Sequence, residues 1–351
     1  MENIKVYGSD EFLKKIENKK PTFLCALATT ETAEIEGITC AGASSKLMKY
    51  TPPADAELIQ VGIPLSLPEI PQTPGATAPT PGIITKAALK LAKIPFIAVN
   101  TGCEITPQIP YVELGGRPGK DIRTGNAVEN PEEIYNNAKL FAESYSKITE
   151  YIIIGESTPA GTTTALGVLT ALGYDVKNKI SGSFVENPHE LKNKVVQEGL
   201  KNSGLTIGEL ESPFDAVRAL GDPMIPALAG IVMGSEVPVT LAGGTQMTAV
   251  CALIKAIDSE FDFSNISIAT TSYVAEDESS NIHDILSQIT DITLFASNPH
   301  FENSTNEGLK TYATGSAKEG VGAGGAIMAA LLQGITVEEI MKEVESILEN
   351  F

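Results

Sequence analysis

YIIIGESTPAGTTTALGVLTALGYDV, residues 151–176, is the stretch on which the fold class turns. Its opening run, Tyr151 to Ile154, is short and wholly apolar, the pattern of a strand buried on both faces of a sheet. Gly155 ends the run, a Glu-Ser-Thr-Pro-Ala-Gly loop follows, and a helix opens around Thr162. A strand passing through a short loop into a helix is half of a βαβ unit. Such units build parallel sheets covered by helices.

The alternation extends outward from there. TFLCALA (22–28), ELIQVG (57–62), PFIAVN (95–100), AGIVMG (229–234), PVTLAG (238–243) and ISIATTS (266–272) are short apolar runs and are predicted as further buried strands. ITKAALKLAK (84–93) and MTAVCALIKAIDSE (247–260) read as helices between them. Asn130, Pro131 and Glu133 combine N-cap, first-turn proline and capping box, ahead of a stripe of Ile134, Ala138, Phe141, Tyr145 and Ile148. Thr336 and Glu339 form a second capping box before Val337, Ile340, Met341, Val344, Ile347 and Leu348. Residues 9–18 also read as helical. The expectation is a Rossmann-like three-layer α/β fold with a mostly parallel sheet over residues 20–330. Residues 1–19 and 331–351 are expected to form a small terminal helical subdomain, a plausible subunit contact. Residues 62–82 contain six prolines, so neither helix nor regular strand persists there.

Composition narrows the function classes. Of 351 residues, 42% are apolar and 20% charged, a globular balance. Twenty-five Lys and Arg against 44 Asp and Glu leave a net charge of −19, which repels phosphate backbones and argues against nucleic-acid binding. An anionic small substrate then needs a local positive pocket. Cys25, Cys40, Cys103 and Cys251 are scattered without a CxxC pair, which fits neither a disulfide framework nor a zinc site and predicts a reducing cytoplasm. His189, His283 and His300 are too dispersed to suggest a metal site. The charged first twenty residues do not read as a signal peptide, and no apolar run is long enough to span a membrane.

Three segments carry candidate chemistry. In the first, a helix opens around Thr162 just beyond the carboxyl end of a strand, where ligands of parallel sheets bind. The unpaired N–H groups of that helix start suit a phosphate, and Thr162, Thr163 and Thr164 add hydroxyls that either join the site or cap the helix. There is no Walker A ending. The second, TGSAKEGVGAGGAIMAALLQG (314–334), matches GxGxxG at 320–325, but no strong strand precedes it and no room follows for an acidic ribose ligand. What remains is a Gly-rich bend with Glu319 before it, either a solvated carboxylate or a general base facing a pocket. The third, residues 117–134, gathers Arg117, Lys120 and Arg123, a solvated loop by default and otherwise a phosphate or subunit contact.

The order of these motifs resembles the nicotinate mononucleotide:dimethylbenzimidazole phosphoribosyltransferase family, in a divergent, archaeal-type form. Gly155-Glu156 through Gly161-Thr162-Thr163-Thr164 is similar to the family's Gly-Glu-Met-Gly-Ile-Gly-Asn-Thr-Thr with one added residue. Lys318-Glu319-Gly320-Val321-Gly322-Ala323 is similar to its Gly-Glu-Gly-Thr-Gly-Ala, and Arg123-Thr124-Gly125-Asn126 resembles its Gly-Thr-x-Asn. The resemblance covers roughly residues 80–330. The Asp-His-Gly-Val and Ser-Ala-Tyr-Pro-Gln segments of the family are absent from the N-terminal quarter.

The resemblance implies transfer of ribose phosphate from nicotinate mononucleotide to a benzimidazole-type base, in cobalamin lower-ligand assembly. It further implies no cofactor and no metal, with a homodimeric enzyme whose partners are the nucleotide and a nitrogen base. By the same resemblance Glu319 is the catalytic base and Glu156 its assistant. Gly161, Thr162, Thr163, Lys194, Gly320 and Gly322 hold the phosphate and ribose. The acceptor stays open: adenine or a phenol would use the same chemistry, and a non-catalytic nucleotide-binding homologue is the alternative of another class.

Overall fold

The structure, a computed structural model, describes residues 2–42, 45–67 and 77–349. These form eight strands: β1 (Ile4–Tyr7), β2 (Pro21–Ala28), β3 (Phe96–Gly102), β4 (Tyr111–Glu113), β5 (Tyr151–Ser157), β6 (Val239–Ala242), β7 (Ile266–Thr271) and β8 (Thr293–Ser297). The helices are α1 (Glu11–Ile16), α2 (Thr51–Val61), α3 (Pro81–Ala92), α4 (Pro131–Tyr145), α5 (Gly161–Ala171), α6 (His189–Ser203) and α7 (Pro213–Leu220). There follow α8 (Met224–Gly234), α9 (Gln246–Ile257), α10 (Ser272–Ala275), α11 (Ile282–Ile289), α12 (Glu307–Ala313), α13 (Ala323–Leu332) and α14 (Val337–Glu349).

One sheet runs in the order β1-β8-β7-β6-β5-β2-β3-β4, parallel throughout except for β1, which pairs antiparallel with β8. Every residue of β2 and β5 is buried. Along β2 the side chains alternate between two cores, as the two-residue period of a strand requires. Leu24, Ala26 and Ala28 meet α4 to α9 and α11, while Phe23, Cys25 and Leu27 meet α2, α3, α13 and α14. The three-layer α/β arrangement predicted from sequence is therefore present. Phe12 and Ile16 of α1 and Ile340 and Val344 of α14 are buried in the second of these cores.

Two predicted strands are helices instead. ELIQVG (57–62) lies in α2, which opens with Pro52 and Pro53 in its first turn and ends on Gly62 in the left-handed conformation. AGIVMG (229–234) is the last part of α8, where ten of the eleven residues are buried. A helix enclosed on all sides loses the polar stripe that would announce its period, so a short apolar run from it looks like a buried strand. Strands β1, β4 and β8 were not anticipated.

Pro131 opens α4, but Asn130 adopts φ 47° and its side chain caps nothing. A side-chain cap needs an extended backbone at that position, so the expected box does not form. Ile148 lies beyond α4 and is 80% exposed, outside the stripe assigned to it. The second box does form: Thr336 Oγ1 accepts from Glu339 N at 3.1 Å and Glu339 Oε2 accepts from Thr336 N at 2.8 Å. Of the proline-rich stretch, residues 68–76 lie outside the described residues, and Pro81 and Gly82 already belong to α3.

Candidate active site

The chain leaves β2 toward β3 and β4 on one side, then returns to β5 and continues to β8 on the other. The β2/β5 boundary is thus a reversal of strand order, the place at the carboxyl ends of the strands where ligands of such sheets bind. Glu156 stands at that end of β5. It is 1% exposed, and its Oε2 has no hydrogen-bond partner. Burial pushes its carboxyl up to about 8; Thr158 opposes this from nearby, while Asp222, Glu319 and Asp55 add to it. The Thr158 hydroxyl does not itself reach hydrogen-bond geometry.

Glu319 is carried on the loop between α12 and α13. That loop is stitched to the sheet: Val321 N donates to the Glu156 carbonyl at 2.6 Å, and Thr85 Oγ1 of α3 donates to the Val321 carbonyl at 2.8 Å. Gly322 makes the approach feasible. It has φ 66°, and a Cβ there would stand 2.6 Å from the Phe23 ring and 2.9 Å from Gly155 Cα. Two glycines face to face thereby bring the two glutamate-bearing segments together. Glu319 is partly exposed as a residue, but its Oε1 is buried and unpartnered. Burial raises its pKa, opposed by the Ser181 hydroxyl, Lys192 and Lys318.

A cation completes the group. Lys192 of α6 is 1% exposed, and its Nζ donates to the Ser181 carbonyl at 2.6 Å and to Thr162 Oγ1 at 3.1 Å. Burial lowers its pKa to about 8, while Glu319 pulls it the other way. Ser181 Oγ is also bonded to Thr245 Oγ1 at 2.6 Å. Helix α5 starts here without a side-chain cap, on Ala160 at φ 64°, with Gly161 as its first residue. The Thr163 and Thr158 hydroxyls are buried without partners. Thr164 is different: it donates to the Gly161 carbonyl at 2.9 Å and to Asp222, so it belongs to the scaffold.

The structure therefore brings together Glu156, Glu319, Gly161, Thr162, Thr163, Gly320 and Gly322 from the sequence reading. Lys194 does not join them. It is exposed on α6, and Lys192, two residues earlier, occupies the site instead. Two residues on a helix point about 200° apart, so the choice between them is decisive. A signal for Lys192 existed, because it lies on the buried stripe with Val195, Val196, Gly199 and Leu200. Ser181, Thr245 and Gly244 were also missed. Gly244 leaves room for Glu319, since a Cβ there would stand 3.2 Å from Oε1. The strand-to-helix stretch Ala242-Gly243-Gly244-Thr245-Gln246 repeats the kind of pattern found at 155–162 and would have pointed there.

The basic cluster of the third segment is solvated. Arg117 and Lys120 pair with Glu129, and Arg123 pairs with Asp121. Two cavities reach neighbours of these carboxylates in the chain, Pro159 and Lys318, and neither is lined by Glu156 or Glu319 themselves. One of about 210 Å³ is lined by Thr29, Thr30, Lys49, Glu104 and Pro159. The other, about 610 Å³, is lined by Tyr273, Asp277, Asn298, Glu302 and Lys318. Among the described residues no cluster of three or more His, Cys, Asp or Glu is placed to hold a metal ion. Nor is any helix among them long and apolar enough to cross a membrane.

No protein-family profile matches the chain. Its fold is similar to that of CobT from Thermus thermophilus, at TM-score 0.57 and 15% identity over 92% of this chain and 86% of that one. A structure of the nicotinate-nucleotide-dimethylbenzimidazole phosphoribosyltransferase from the same organism gives TM-score 0.56 and 14% identity over 93% and 86%. The fold class is thus the one these solved enzymes share.

By sequence, the chain belongs to the UPF0284 family. It is 54% identical to the UPF0284 protein of Methanothermobacter thermautotrophicus over 99% of this chain and 97% of that protein. Identity to the UPF0284 protein of Methanosarcina acetivorans is 46%, over 94% of both.

Proposed function

We propose that this protein is a phosphoribosyltransferase that moves the ribose phosphate of nicotinate mononucleotide to a nitrogen base, a benzimidazole in the first instance. The observation that carries the reading is the pair of carboxylates, Glu156 and Glu319. Each keeps one buried oxygen unpartnered, beside the uncapped start of α5 and Lys192. Burying such groups without partners is costly, which is reasonable where a substrate will supply them.

In this reading the 5′-phosphate sits at the start of α5, held by the Thr162 N–H, the Thr162 and Thr163 hydroxyls and Lys192. Glu319 accepts the N–H proton of the incoming base. The other ring nitrogen then attacks C1′ with its lone pair. The bond from C1′ to the nicotinate nitrogen breaks, its electrons neutralise the pyridinium, and the anomeric centre inverts. Glu156, neutral in the empty site at pH 7, loses its proton when the cationic nucleotide binds against it and then stabilises positive charge on the ribose. A homodimer, in the cytoplasm and engaged in cobalamin lower-ligand assembly, is part of the same proposal. Sedimentation at twice the mass of one chain is expected.

The test is incubation with nicotinate mononucleotide and a panel of dimethylbenzimidazole, adenine and phenol, with chromatographic detection of the ribosylated product and of nicotinate. Glu319→Gln should retain nucleotide binding and lose about 10²–10⁴ in kcat; undiminished turnover would remove Glu319 from the role. Lys192→Met should weaken nucleotide binding roughly tenfold or more, as loss of a charged phosphate contact does, whereas Lys194→Met should leave it unchanged. Nucleotide binding with no product from any base would instead mark a non-catalytic binding protein.

A further inference from the structure

We propose that Lys318 and Asp277 form a positioning pair that fixes the loop carrying Glu319 and sets the pH at which Glu319 takes a proton. The inference rests on the role given to Glu319 above.

Lys318 Nζ and Asp277 Oδ2 are 2.8 Å apart, with side chains only 4% and 11% exposed. Each of the other ion pairs among the described residues leaves at least one partner 37% exposed or more. A buried pair is a poor stabilising device, because desolvation consumes most of the attraction. Its location is the informative feature: Lys318 directly precedes Glu319.

The loop needs such an anchor. Gly315, Ala317, Gly320, Val321 and Gly322 all have positive φ, so no regular hydrogen-bond ladder holds residues 315–322. Its fixed points are instead individual contacts. Ala317 N donates to the Ser183 carbonyl at 2.8 Å, and Tyr312 Oη donates to the Lys318 carbonyl at 3.1 Å. The Lys318 side chain supplies another, on the side of the loop opposite in sequence to the Val321 contacts with β5 and α3. Its partner is rigid in turn, since Asp277 accepts from Ser279 N and Oγ at 3.0 Å and from Ser280 Oγ at 3.1 Å. The Ser279 carbonyl lies 2.7 Å from His189 Nε2, at the start of α6. The pair therefore ties the Glu319 loop, through one turn, to the helix that carries Lys192.

The charged and titratable groups facing Glu319 come from several elements: Lys192 from α6, Lys318 from its own loop, Asp277 from the turn after α10, Glu156 from β5 and Tyr312 from α12. Lys318 favours the carboxylate and Asp277 disfavours it. Intact, the two act on Glu319 with opposite sign; broken, each acts without the other.

The experiment is a pH titration of the Glu319 carboxyl by ¹³C NMR in the full-length protein, assigned with Glu319→Gln, alongside the pH profile of kcat. Lys318→Met, which leaves Asp277 unpaired, should raise the Glu319 midpoint by roughly one pH unit and move the acid limb of kcat upward. Asp277→Asn, which leaves Lys318 unpaired, should lower both by a similar amount. The double variant should fall between the two single variants, and Lys318→Arg should preserve the parent profile. Shifts in the same direction for the two single variants, or none in folded protein, would overturn the pair's role. The NMR arm needs no turnover. Opposite shifts with no product from any base would thus keep the pair and remove the phosphoribosyltransferase reading.

Discussion

Glu156, Asp55 and Asp222 are buried carboxyls whose pKa values stand at about 8, about 6 and about 6, burial being the leading cause in each. A carboxyl with a raised folded-state pKa favours the folded state while protonated and loses that contribution as pH rises through the folded value. For Glu156 the window runs from its ordinary 4.5 to about 8. The ligand-free protein is therefore expected to melt at progressively lower temperature between about pH 5 and about pH 8.5. Glu156→Gln, which mimics the neutral form, should flatten that slope, with a gain in Tm at the alkaline end and little at the acid end. Scanning calorimetry across the range checks this, and an unchanged slope would deny that Glu156 is buried and neutral. At this scale the two glutamates were legible because each sits beside a Gly-containing bend in a recognisable order. Lys192 was legible only through helical periodicity, and the nearby Lys194 masked it.

The glycine contact between β5 and the segment before α13 carries the consequence at the level of elements. Gly322→Ala would drive a methyl group into Phe23 and Gly155 and impose a side chain on a left-handed residue. The expected cost is about 1–3 kcal/mol in denaturant unfolding, as overpacking of a close contact gives. Activity should fall further than stability accounts for, because the same displacement separates Glu319 from Glu156. A fully active Gly322→Ala would mean that their spacing is not set by this contact. Element assignment from sequence succeeded for β2, β3, β5, β6 and β7 and failed for α2 and α8. The failures share a cause: α8 is buried on every side and most of α2 is buried, so no clear polar face marks the turn. The proline pair at Pro52 and Pro53 with Gly62 was the overlooked sign of a helix.

For the molecule as a whole, a net charge of −19 makes self-repulsion a factor in stability. Most of the ion pairs among the described residues are exposed, and such pairs contribute about 0–1 kcal/mol each. Raising ionic strength from about 0.01 M to about 0.3 M shortens the screening length severalfold and is expected to raise Tm. A fall in Tm would show that local pairs outweigh the global repulsion. What the sequence determined by itself was the α/β class, the parallel strands around residues 22–28 and 151–155, and two glutamates as candidates for a site. Those features depend on local periodicity and on residue types that only a few local structures tolerate. The order of strands in the sheet, the meeting of residues 155 and 322, and the choice of Lys192 over Lys194 were decided by tertiary structure. Each is a contact between segments far apart in the chain, and no short-range pattern encodes which distant surface a buried face will find.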